Sequence, residues 1–147
     1  ADIRVETVPA PRRTADSLGV AQGSPLVKIE RVTLANGSPI ALMTNFLLPE
    51  IVPDLARRIG GMVSLYSFLE SEYGLAIEAA TDFISARQAG TDEAARLAIP
   101  ADSPLLVVRR VSQAGGRPIE EALLLVVADR YEYCVHTRER PPRREHA

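Results

Sequence analysis

The chain has 147 residues, of which 46% are hydrophobic and 24% charged, and its net charge is −2. That size and balance suit one domain with a real hydrophobic core, and they argue against this segment being a nucleic-acid-binding surface by itself. The longest apolar run, Ala122 to Ala128, is far short of the roughly 20 residues that cross a bilayer.

No signal peptide is visible, and a single cysteine, Cys134, excludes an internal disulfide framework. A reducing, cytoplasmic compartment is expected. From the start at Ala1, without a methionine, the expectation is a piece of a longer protein, with processing as the alternative.

Taken in order, the first pattern is "TADSLGV", a short helical stretch beginning at Thr14. A strand of β-branched and aliphatic residues follows, Leu26 to Leu34, ending at Asn36-Gly37. Such pairs supply the positive φ angles of tight hairpins, and Pro39 then opens a second strand. A two-residue turn there sets Leu42 opposite Arg31, whereas a three-residue loop with a bulge sets Met43 there.

"LPEIVPDLARRI" reads as a short helix or turn-helix closed by Gly60-Gly61. "VSLYSFLESEYG" is a clearer helix, with Ser64 as its cap, Val63 and Phe68 at staple positions and Gly74 as its stop. Leu65, Phe68 and Leu69 line one face. "LAIEAATDFISAR" is read as a strand, and "TDEAARLAIP" as a helix capped by Thr91 with Pro100 just beyond its end. A strand from Leu105 to Val111, a Gly115-Gly116 turn and a strand opened by Pro118 come next. Tyr131, Tyr133 and Val135 alternate with polar residues as a last strand, and Thr137 to Ala147 is expected to be a disordered tail.

The second hairpin is a near-copy of the first. "SPLVKIERVTLANGSPI" (Ser24 to Ile40) and "SPLLVVRRVSQAGGRPI" (Ser103 to Ile119) lie 79 residues apart and share 9 of 17 positions, with Arg31 matched by Arg110. Ala15, Leu18 and Val20 match Ala94, Leu97 and Ile99 upstream. An internally repeated helix–hairpin unit, with helices between the copies, predicts an α+β domain on a mostly antiparallel sheet. The unalternating run "ALLLVVA" calls for a strand covered on both faces, by helices on one side and something else, such as a partner subunit, on the other.

Catalytic signatures are absent: there is no GxSxG, SxxK, HExxH, phosphate-binding glycine loop or paired Cys/His cluster. His136 and His146 have no nucleophile or ligand set nearby in sequence. No catalytic residue, metal site or cofactor is assigned. Arg31 shares a strand face with Val27 and Ile29. A guanidinium on an apolar face needs a partner, because an unpaired buried charge costs several kcal/mol. That partner is either an internal carboxylate such as Glu120 or the anionic group of a ligand held by the planar fork. The equivalent Arg110 is read as a structural or surface arginine.

The strings "LVKIERVTLANGSPIALMTNFLLPE…SLYSFLESEYGLAI" and "SPLLVVRRVSQAGGRPIEEALLLVVADRYEY" resemble the effector-binding UTRA domain of GntR-type transcription regulators, HutC subfamily. The match spans residues 15 to 135, in the family's order and spacing. It implies a chorismate-lyase-like fold with a six-stranded antiparallel sheet, a homodimer, and a small-molecule effector that controls DNA binding by an N-terminal winged helix-turn-helix outside this chain. Residues 1–14 would be the linker or first strand from that head, 15–136 the effector domain and 137–147 the tail.

The resemblance also implies effector contacts. The first arginine of the family's pair falls on Arg31 and the second on Thr33; the helix-start pair falls on Ser64 and Tyr66, and the carboxylate after the second hairpin on Glu120. A glutamate of many relatives is replaced by Met43, and a late tyrosine by Val126. Simpler roles stay open: Ser64 as a cap, Tyr66 as a half-buried aromatic, Glu120 at a hairpin rim. Each lost charge-assisted bond removes roughly 1.5–3 kcal/mol, so the expected effector has at most one anionic group and a sizeable apolar part. An enzyme of the same fold, or a dimerisation module with a vestigial pocket, is the alternative. No membrane partner is expected.

Overall fold

The computed structural model describes residues 3–138. Six strands form one sheet: β1 (Ile3–Pro9), β2 (Pro25–Ala35), β3 (Ser38–Leu47), β4 (Ala79–Gln88), β5 (Pro104–Ala114) and β6 (Arg117–Val127). Their order is β1-β2-β3-β6-β5-β4, and every neighbouring pair is antiparallel. The helices are α1 (Arg12–Leu18), α2 (Leu55–Arg58), α3 (Leu65–Tyr73) and α4 (Thr91–Leu97). No helix among the described residues is long and apolar enough to cross a membrane.

Shifted by 79, the bounds of α1 and β2 and the start of β3 coincide with those of α4, β5 and β6. Both turns are two-residue turns with positive φ at each central position: 49° and 78° at Asn36-Gly37, 59° and 73° at Gly115-Gly116. The ladder then slips by one residue at matched places, between Thr33 and Leu34 and between Ser112 and Gln113. Ile40 and Ile119 are the extra residues. The tight turn therefore coexists with Arg31 opposite Met43, and the slip sets Glu120 rather than Ile119 opposite Ser112. A one-residue slip turns every following side chain to the other face, so these bulges decide what the centre of the sheet presents.

Alternation along the strands sorts two cores. On one face Leu42, Leu105, Val107, Leu125 and Val127 pack on Ala94 and Leu97 of α4. Leu26 on that face packs on Ala15 and Leu18 of α1. On the other, Ile29 and Leu47 pack on Leu55, Leu65 and Leu69 of α2 and α3. The run "ALLLVVA" thus meets α1 and α4 on one side, while Ala122 and Leu124 on the other side line a cavity.

Several local expectations are corrected. Residues 131–138 form no strand: after a 3₁₀ turn at Ala128–Arg130 the chain leaves the ladder, and Tyr133 is held by a side-chain bond to Asp82 (3.0 Å). Both flanks of β6 are already occupied by β3 and β5, so sheet pairing has no place for that segment beside it. Val63 is 92% exposed and makes no staple with Phe68. The cap of α4 is Gly90, not Thr91, and the Glu93 carboxylate accepts from the Gly90 N–H at 3.0 Å. Beyond these corrections, Ile3–Pro9, in the segment read as linker or first strand, is a paired edge strand of the sheet, and residue 15 lies within α1. Of the expected tail, residues 139–147 lie outside the described residues.

Candidate functional site

At the centre of the sheet lies a cavity of about 440 Å³. Its floor is the face of β2, β3, β6 and β5 that carries α3, and its wall is the N-terminus of that helix. Tyr131 and Tyr133 close it from the C-terminal side. The helix begins here because Ser64, in extended conformation, accepts from the Ser67 N–H at 3.5 Å, so the cap and the cavity wall are the same residue.

Five of the seven residues expected at a site, Arg31, Met43, Ser64, Tyr66 and Glu120, line this one cavity. Two do not. Thr33, two residues beyond Arg31 on the same strand face, lines a neighbouring hollow instead. Val126 shares a face with Leu124 but is 1% exposed and does not reach the space. The bulge explains why Met43 is brought in: its slip turns residue 43 to the side of Arg31.

Arg31 is half-buried, and its Nη2 donates to the Met43 thioether sulfur at 3.2 Å. A thioether is a weak acceptor, and among the described residues Arg31 makes no ion pair. The internal salt bridge to Glu120 is therefore not formed. The guanidinium faces the cavity with its charge uncompensated.

Glu120 is fully buried, not at a rim. Asn45 Nδ2 donates to its Oε2 at 3.3 Å and the Ser112 hydroxyl to its Oε1 at 3.4 Å, while the Tyr66 hydroxyl bonds that of Ser112. Burial pushes the Glu120 carboxyl up to about 7, against the smaller lowering effects of Asn45, Ser112 and Arg110. The side-chain amide oxygen of Asn45, Oδ1, is buried without a partner among the described residues.

Arg110 also lines the cavity, which its repeat position alone did not reveal. It grips Asp82 of β4 through Nε and Nη2 at 2.6 and 2.9 Å, and that hydrogen bonding holds the Asp82 carboxyl below the usual carboxylate range. The two equivalent arginines have diverged: Arg110 is compensated internally and Arg31 is not. Asn45, Tyr131 and Tyr133 are the other polar lining residues that sequence reasoning missed. Asn45 was detectable in principle, two residues past Met43 on the same face. The tyrosines alternate with polar residues as a strand does, and nothing local says that their segment folds back over the cavity.

Chemically, the described residues give the cavity one free cation, one protonatable carboxyl and walls of Met43, Val63, Leu65, Val108 and Leu124. It has the size and lining of a small-molecule site. Among the described residues no group of three or more His, Cys, Asp or Glu is placed to hold a metal.

Comparison with known proteins agrees with this architecture. The UTRA domain family matches residues 2–132. A probable transcriptional regulator, PhnF of Escherichia coli K12, is 34% identical over 130 residues, covering 86% of this chain and 53% of its own length. The chain thus spans about half of that relative. The effector domain of PhnF from Mycobacterium smegmatis superposes with a TM-score of 0.84 at 28% identity, over 92% of this chain and 84% of that one. The ligand-binding domain of a GntR-family regulator from Bordetella bronchiseptica gives 0.84 at 27% identity, over 94% and 92%.

Proposed function

The chain belongs to the UTRA domain family, and on that premise we propose that it is the effector-sensing and dimerising part of a GntR-type transcription regulator of the HutC subfamily. The cavity receives a small organic effector with at most one anionic group. That effector shifts the geometry of a homodimer whose DNA-binding heads, winged helix-turn-helix domains preceding Ile3, lie outside this chain. Residues 3–136 act as the sensing unit, and the protein works in the cytoplasm without membrane, metal or cofactor.

The observation that carries this reading is Arg31. Among the described residues, this half-buried guanidinium faces a cavity and meets only a thioether, a weak acceptor that leaves its charge unsatisfied. An anionic group in the cavity would replace that weak acceptor by a charge-assisted pair. Serving beside Arg31 would be Met43, Ser64, Tyr66 and Glu120, with Thr33 at the neighbouring hollow and Val126 supporting the wall from within the core. With a single free cation and Met43 in place of a polar group, the cavity favours a monoanion with a substantial apolar part.

A ligand shifts a conformational equilibrium only by its difference in affinity for the two states. Ligation at Arg31 touches β2, the strand that pairs with β1, so the bound anion acts one strand away from the segment entering from the head. The test is a thermal-shift screen of organic monoanions against the chain and its Arg31→Ala variant. Hits should raise the melting temperature of the parent and lose most of that effect in the variant. Equal shifts in both proteins would defeat the reading.

A further inference from the structure

Beside the first cavity lies a second hollow of about 510 Å³, on the same face but toward the edge strand β1. Ile3, Thr33, Leu34 and Met62 line it. Arg31, Met43 and Val63 line both spaces, so the two hollows adjoin along the contact between the Arg31 Nη2 and the Met43 sulfur. Val63, 92% exposed in the loop before α3, stands over the junction, and Leu34 is 52% exposed at the far end. An exposed valine and leucine bordering an uncompensated guanidinium form an apolar surface with one fixed charge in its middle.

Resting on the effector reading above, we infer that the two hollows are halves of one binding site for an extended monoanion. Its charge lies between a compact polar head and an apolar arm. The anion takes the place of the Met43 sulfur at Arg31. Methionine is unbranched and flexible, so its side chain is the movable member of the partition. The head occupies the first cavity, where Ser64 and Glu120 offer polar partners. The arm runs under Val63 across Thr33 toward Leu34, Met62 and Ile3. Thr33 matters here: it stands at the second position of the arginine pair, and a cation there would turn the second hollow toward a further anionic group.

The ligand class is an acid substituted on both sides of its anionic group, of which N-acyl amino acids are the simplest members. The experiment is titration calorimetry of the chain with N-acetyl-, N-butyryl-, N-hexanoyl- and N-octanoyl-tyrosine, and with the methyl ester of each. Affinity should rise with arm length, by up to about fourfold for each methylene fully buried, and the esters should bind far more weakly. Leu34→Asp should flatten the length dependence, and Met43→Ala should favour the long arms.

An affinity that is flat along the series, yet lost in Arg31→Ala, overturns the joined site and leaves the effector reading standing. Binding untouched by Arg31→Ala overturns both, and no binding by any member overturns the ligand class assigned here. If Leu34→Asp instead converts a dimer to monomers in sedimentation while length dependence persists, the second hollow is a contact between copies and the inference fails.

Discussion

Glu120 gives the sharpest test of the cavity floor. In the folded chain its carboxyl keeps its proton to about 7, against an ordinary 4.5, because it is fully buried among neutral donors. Between those values the native state holds more protons than the unfolded one, so stability must fall as pH rises. The separation corresponds to about 3 kcal/mol, absent below the unfolded value and complete above the folded one.

Glu120→Gln keeps the shape and removes the titration. Urea unfolding of both proteins, followed by circular dichroism between about pH 5 and pH 8, gives the stability difference at each pH. Relative to the variant, the parent should lose about 2.5 kcal/mol across that range, the rest of the effect falling below about pH 5. Glu30, Asp82 and Glu93, whose carboxyls are held low, contribute with the opposite sign at acid pH, and they are common to both proteins and cancel. A difference that does not change with pH would refute the buried, protonated floor.

Val126→Ala should cost about 2 kcal/mol in urea unfolding, from lost burial and the void left behind, while ligand affinity stays put because Val126 lines the core and not the cavity. Thr14→Val removes the hydroxyl that donates to buried Glu121 at 2.8 Å, and should cost about 1–3 kcal/mol in the same assay. Gly116→Ala places a Cβ at a φ of 73° and should destabilise the second hairpin by roughly 1–2 kcal/mol, read as a lowered melting temperature. Arg31→Ala should leave the chain folded, with an unchanged circular dichroism spectrum, since among the described residues this half-buried side chain has only a thioether partner to lose.

The hairpins were legible because their signals are local. Asn36-Gly37 and Gly115-Gly116 demand left-handed backbone, and the β-branched runs beside them have the period of strands. Helix α3 was legible through Ser64 and Gly74, its actual cap and stop. Val63 departs from the expected staple because a staple position in sequence does not fix where a side chain points once the loop has cavity on one side. Tyr131 to Val135 alternated like a strand, yet a strand needs a free neighbour to pair with, and the sheet order supplies none beside β6.

From residues alone came the helix–hairpin unit written twice, the antiparallel α+β architecture and the unusual arginine at position 31, since each rests on interactions spanning a few residues. Only the folded sheet decided which members of the repeat face the cavity. A bulge at Ile40 and another at Ile119 turn Met43 and Glu120 inward, and the meeting of β2, β3, β6 and α3 leaves Arg31 without an acid while Arg110 finds Asp82. Backbone hydrogen bonds are nearly blind to sequence, so a one-residue slip is decided by packing across the whole sheet, and with it the chemistry of the site.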